Sequence, residues 1–175
     1  MVKLIFDPDL LNISEKTVYE EMIAKRKKQG APFGAPYQVL MNHPELCQKI
    51  EALGFYLKFT GHLPRNIYQF VVLAVAKETQ CSFEWTDHIQ HAQEAGVPKE
   101  IIDKLNNDGL VTAAFGAPYK LVVELLSYTL KWKNIPGDVQ TNIIKVYSIR
   151  GLIEIVVLSG FYQMFSAINQ GFDIS

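Results

Sequence analysis

The stretch PRNIYQFVVLAVAKETQCSFEWTDHIQHAQEAG, Pro64 to Gly96, decides how the rest of the chain is read. From Pro64 to about Gln80, apolar residues fall nearly all round a helical projection: Ile67, Phe70, Val71, Val72, Leu73, Ala74 and Val75. Only an element packed on every side accepts that pattern. From about Cys81 to Ala95 the pattern becomes two-sided. With Cys81 at zero and ~100° per residue, Glu84, Trp85, His88, His91, Ala92 and Ala95 fall within about 80° of it, opposite Phe83, Asp87, Gln90, Gln93 and Glu94. Trp85, Ala92 and Ala95 mark the first face as the inner one, so Glu84, His88 and His91 are expected to point at protein.

The flanking segments read as further helices. Ser14 and Thr17 before Glu20 give start signals, and Gly30 is a natural stop, so Ser14 to Gln29 is a first helix ending in the basic run Lys25 to Lys28. Asn42, Pro44 and Glu45 open a second, with Leu46, Ile50, Leu53 and Leu57 as its stripe and Gly61 as its close. After the central pair, Gly96 gives way to a short helix from Val97-Pro98 to Leu105. Pro118 starts another, striped by Leu121, Val122, Leu125 and Leu126, and a last long helix runs from about Val139 to Ile168. No strand alternation is found, so the fold class is all-α, with about six or seven helices in a single domain. Phe-Gly-Ala-Pro-Tyr occurs at 33–37 and 115–119, and Gly-Phe-Tyr at 54–56 and 160–162. The two offsets disagree, whereas a duplication keeps one period.

Composition narrows the function classes. In 175 residues, 49% are hydrophobic and only 20% charged, with a net charge of -1. There is no basic field to hold a phosphate backbone, so nucleic acid is not an expected partner. The uncharged run from Ile155 to Phe172 approaches membrane-spanning length, but its polar residues mark a buried core helix, and no membrane association is expected. Two cysteines, Cys47 and Cys81, and a start without a basic-then-apolar leader suit a reducing cytoplasm.

The inner face of the Cys81–Ala95 segment is where chemistry is expected. Burying an unpaired charge is costly, whereas Glu84 and His88 stand at i and i+4 and can neutralise one another. Such a pair can hold a proton near neutral pH, which makes both residues the candidate catalytic groups. A purely structural pair is the plainer reading, but Cys81, Glu84, His88 and His91 within three turns exceed what a core stripe normally accepts. Glu84, His88 and His91 could also offer three metal donors, yet a first-row ion wants a further ligand that the sequence does not place, so no metal is assigned. Arg150 and Glu154, also at i and i+4, read as a structural ion pair, His43 as a helix-start residue and His62 as a loop residue.

Asn42-His43-Pro44, Leu63-Pro64-Arg65 before an apolar helix, and Glu84-Trp85-Thr86-Asp87-His88 before Gly96 together resemble the carboxymuconolactone decarboxylase family, which includes the AhpD-like alkylhydroperoxidases. The match is best over about Gly34 to Leu105, with weaker support from EIVVLSGFYQ, Glu154 to Gln163. The resemblance implies an AhpD-like orthogonal helical bundle and a homo-oligomer. The peroxidase branch requires Cys-x-x-Cys, a histidine four residues on and a glutamate one helix earlier. Here Cys81 and His88 match, but Glu84 replaces the second cysteine and Gln69 the glutamate, so an internal disulfide cycle cannot close. The decarboxylase branch fits better. It implies acid-base chemistry by Glu84 and His88 on a small carboxylated or lactone substrate, without a cofactor. Arg65, Gln69, Cys81, Trp85 and His91 are the candidate substrate-binding residues. The alternatives are a redox protein relying on Cys81 and a noncatalytic binding or assembly relative.

Overall fold

The computed structural model describes residues 6–28 and 33–174. These residues form eight α-helices and no strand, as the all-α reading expects: α1 (Ile13–Lys28), α2 (Ala35–Leu40), α3 (Pro44–Phe55), α4 (Arg65–Glu78), α5 (Ser82–Glu94), α6 (Lys99–Asp108), α7 (Tyr119–Thr129) and α8 (Gly137–Gly171). Gln29 and Gly30, read as the end of the first helix, lie outside the described residues. The backbone groups into two compact units, one running up to Tyr56 with Ala167 onward, the other from Leu57 to Ser166.

In the first unit, Met22, Met41 and Cys47 form a small buried core flanked by Val18, Tyr19, Tyr37 and Leu40. Half of the basic run at the end of α1 has partners within this unit. Lys25 Nζ donates to the buried Glu51 at 2.9 Å, and the Arg26 guanidinium lies over the rings of Phe33 and Tyr37. The expected stripe of α3 is corrected here. Leu46 and Leu53 are exposed, whereas Pro44, Cys47 and Glu51 face inward. Glu51 occupies a core position because α1 supplies its cation, an arrangement that a stripe of leucines does not reveal. The α-helix also stops at Phe55, and the remainder up to Thr60 is one π-helical turn.

The second unit is built on α4, whose ten residues from Ile67 to Ala76 are all buried, with α5, α6 and α7 packed against it. Each large side chain of this kind is worth about 1.5–3 kcal/mol of burial. Phe70 packs between Phe115 and Tyr119, with ring centroids 5.8 and 4.8 Å away, so the second Phe-Gly-Ala-Pro-Tyr segment is an aromatic brace for the central helix. Gln80, at φ 55, turns the chain after α4, and the Cys81 N–H donates to Ala76 O at 2.9 Å. This tight reversal lays α5 along α4.

The last helix starts at Gly137 and is interrupted at Ser148, whose φ of 65 and ψ of 172 are not helical. A serine held there costs about 1–3 kcal/mol. Gly151 fits the same break, since a Cβ on it would meet Tyr147 Cβ at 2.6 Å. By length and composition α8 could cross a membrane, but its most apolar window is 56% buried, as in a core helix.

Candidate functional site

The site is built where α4, α5 and α8 meet inside the second unit. Gln69 belongs to the all-apolar helix and is fully buried, a position that needs a polar partner. That partner is His88, whose Nδ1 stands 2.8 Å from Gln69 Oε1. An amide oxygen only accepts, so Nδ1 carries the proton and Nε2 presents its lone pair. Around Nε2 stand the Tyr162 hydroxyl at 3.4 Å, Glu84 Oε2 at 3.6 Å and Asp87 Oδ2 at 3.8 Å. The Tyr162 hydroxyl continues to Tyr68 Oη at 2.9 Å. Gln69 Nε2 is buried with no hydrogen-bond partner.

Electrostatics correct one expectation. Burial, and after it the charges on Lys58, His91 and Arg65, push the His88 imidazole from its usual 6.5 down to about 3. Glu84 Oε2, at 3.6 Å, stands beyond direct hydrogen-bond reach of Nε2. His88 is therefore neutral at physiological pH, and it does not store a proton near neutrality as the i, i+4 spacing suggested. Burial also pushes the Tyr68 phenol up to about 12, against the opposing pull of the Tyr162 hydrogen bond and Arg65, so it stays protonated.

The structure sorts the remaining candidates. Glu84 and His88 are buried as expected, but His91 is exposed, with Nδ1 turned to Glu94 Oε2 at 3.7 Å, and Ala95 is only half-buried. The true inner face is narrower than the helical projection, because α4 covers only about one side of α5. Cys81 and Trp85 line a surface depression of about 410 Å³ with Lys77, Gln80 and Asn106, apart from the His88 cluster. Arg65 is exposed at the start of α4, donating to Lys58 O at 2.6 Å and lying 5.1 Å over the Tyr68 ring. Tyr68 on α4 and Tyr162 on α8 are both buried. Their role here needed the hydroxyl contact between residues 94 positions apart. Among the described residues, no group of three His, Cys, Asp or Glu is arranged to hold a metal ion.

A second polar knot lies in the same unit. The buried Glu154 accepts the main-chain N–H groups of His62 (2.7 Å) and Leu63 (3.2 Å) and pairs with His62 Nδ1 at 2.8 Å. His62 Nε2 in turn lies 3.2 Å from Arg150 Nη1. The ion pair expected between Arg150 and Glu154 is thus bridged by His62, a residue of the loop before α4. Gly61 makes the approach possible, since a Cβ there would stand 2.9 Å from Glu154 Oε2 and 3.2 Å from Leu57 O.

An all-α unit with a buried glutamine, histidine and glutamate on two adjacent helices is the class that fold and site define. Residues 44–118 match the model for the carboxymuconolactone decarboxylase family, the one that the sequence motifs resemble. The family takes in both decarboxylases and AhpD-type peroxidases. No curated protein and no solved structure matches the chain.

Proposed function

We propose that the protein is a cofactor-independent enzyme of the carboxymuconolactone decarboxylase type, acting by acid-base chemistry on a small lactone or other unsaturated acid. The observation that carries this reading is the state of Gln69. Its oxygen fixes the His88 tautomer, and its buried N–H group has no hydrogen-bond partner, a cost that a substrate oxygen accepting from it would remove.

In the reaction, the bond to the substrate carboxylate breaks, CO2 leaves, and the electron pair passes into the conjugated carbonyl. Gln69 Nε2 donates to that carbonyl oxygen as charge develops on it. Glu84, in its protonated form, delivers its proton to the carbon and regains one from water once the product has left. His88, held neutral, accepts from the Tyr162 hydroxyl through its Nε2 lone pair and so keeps that hydroxyl beside Glu84 Oε2. A dithiol peroxidase is less well supported, because Cys81 is the only cysteine between Leu57 and Ser166. The same reading makes the enzyme a cytoplasmic homo-oligomer whose partner is its small-molecule substrate.

The test is CO2 release from a panel of unsaturated lactone acids. Glu84→Gln and His88→Ala are expected to lower turnover by about a hundredfold or more while the protein stays folded. Undiminished turnover in both variants would reject the proposal.

A further inference from the structure

The polar contacts of the site close a circuit through three helices. Tyr68 and Gln69 are neighbours on α4. From Tyr68 Oη the path crosses to Tyr162 Oη on α8 at 2.9 Å and to His88 Nε2 on α5 at 3.4 Å, then returns from His88 Nδ1 to Gln69 Oε1 at 2.8 Å. All four residues are buried, and the Tyr162 and His88 rings meet edge to face at 90° with centroids 5.3 Å apart. Donor counting gives the circuit a direction. With the Nδ1 proton donated to Gln69 Oε1, His88 Nε2 only accepts, so Tyr162 donates to it. A hydroxyl has one proton, so the bond between the tyrosines is donated by Tyr68, whose phenol burial keeps protonated.

The reverse order is open to the same atoms. A carboxamide turned end for end keeps its shape, so Gln69 fixes the His88 tautomer only while its oxygen faces the ring. Turned round, its N–H would donate to Nδ1, and the imidazole proton would sit on Nε2, facing Glu84 Oε2 3.6 Å away. The atom left without a partner would then be the amide oxygen instead of Gln69 Nε2. Buried N–H groups without partners are rarer than such oxygens, so the amide by itself favours the reverse order. The order found needs a donor on the far side of the imidazole. We infer that the Tyr162 hydroxyl, held by Tyr68, is a positioning group that selects the His88 tautomer protonated on Nδ1 and so keeps the Gln69 N–H turned to the substrate. The inference deepens the proposed function and rests on it, since it names what readies the donor that holds the substrate oxygen. Tyr162 acts here through His88.

The test is nitrogen NMR of the full chain labelled in its four histidines, with His88 assigned by the signal lost in His88→Asn. In the wild type the proton is expected on His88 Nδ1, with Nε2 bare and accepting. Tyr162→Phe removes a single oxygen and should invert the tautomer ratio, moving the proton to Nε2. Tyr68→Phe takes a hydroxyl from the same cluster but leaves Tyr162 donating, so it should keep the wild-type tautomer, a contrast that two merely structural tyrosines would not show. Fluorotyrosine placed at 162, a stronger donor of nearly the same shape, should shift the Nε2 resonance. On the panel of lactone acids, Tyr162→Phe should lower kcat by about tenfold. A wild-type proton on Nε2, an unchanged tautomer in Tyr162→Phe, or an unmoved resonance with fluorotyrosine would overturn the inference. Undiminished turnover in Glu84→Gln and His88→Ala, beside a tautomer that Tyr162→Phe inverts, would instead sink the acid-base reading and leave the tautomer control standing.

Discussion

Two glutamate-histidine pairs in one unit show how differently the same residue types can be used. Glu84 and His88 are one turn apart on α5, both are buried, and their closest atoms are 3.6 Å apart. Glu154 and His62 are 92 residues apart, meet at 2.8 Å, and leave the imidazole at the surface. The near pair is loosely joined, and the histidine spends its better hydrogen bond on Gln69. The distant pair is tightly joined, and its carboxylate also holds two main-chain N–H groups. Loose contacts with an orphaned donor beside them suit a site that a ligand completes. Full satisfaction suits a clasp that holds the loop before α4.

That contrast can be broken from either side. The largest difference is expected in catalysis: His62→Ala should leave turnover within a few-fold of wild type, against the hundredfold loss in His88→Ala. A larger fall in His62→Ala would make the clasp part of the site. Stability should show the reverse order. Glu154→Ala strips the acceptor from three donors in a buried setting and should cost about 3 kcal/mol or more in denaturant unfolding. A loss under about 1 kcal/mol would mean that the loop at 61–63 does not depend on the clasp.

The pH dependence separates the pairs next. His88 prefers its neutral form in the fold, so its contribution to stability is complete above about 6.5 and is lost as pH falls towards 3, where the folded imidazole also protonates. In this window unfolding should become easier by up to about 1.4 kcal/mol per pH unit, and His88→Asn should flatten that slope. An identical slope in the variant would assign the effect to other groups. The smallest effect is expected for Arg150→Ala, which removes an exposed contact to His62 and should change stability by less than about 0.5 kcal/mol.

Of the candidate site, the buried Glu84 and His88 were readable because both obey the period of their own helix, whereas Gln69 was singled out only by the family resemblance, as the residue in place of the peroxidase branch's glutamate. His91 obeyed the same period and still faces solvent, because a projection counts angles and not how much of a helix its neighbour covers. The stripe of α3 failed for a related reason: Glu51 takes an inward position only because Lys25 on another helix neutralises it.

What the amino-acid sequence determined alone was the all-α class, the central buried helix, the two-sided helix after it and the family's motifs. These follow from periodicity and capping, which act over at most about four residues. Tertiary structure alone decided that Gln69 fixes the His88 tautomer, that Tyr68 and Tyr162 join the site, and that Glu154 clasps His62. Most of these contacts join residues 19 to 94 positions apart, as in Gln69–His88 and Tyr68–Tyr162. Partners so distant are chosen by which helix faces pack together and by the demand that buried polar groups be satisfied.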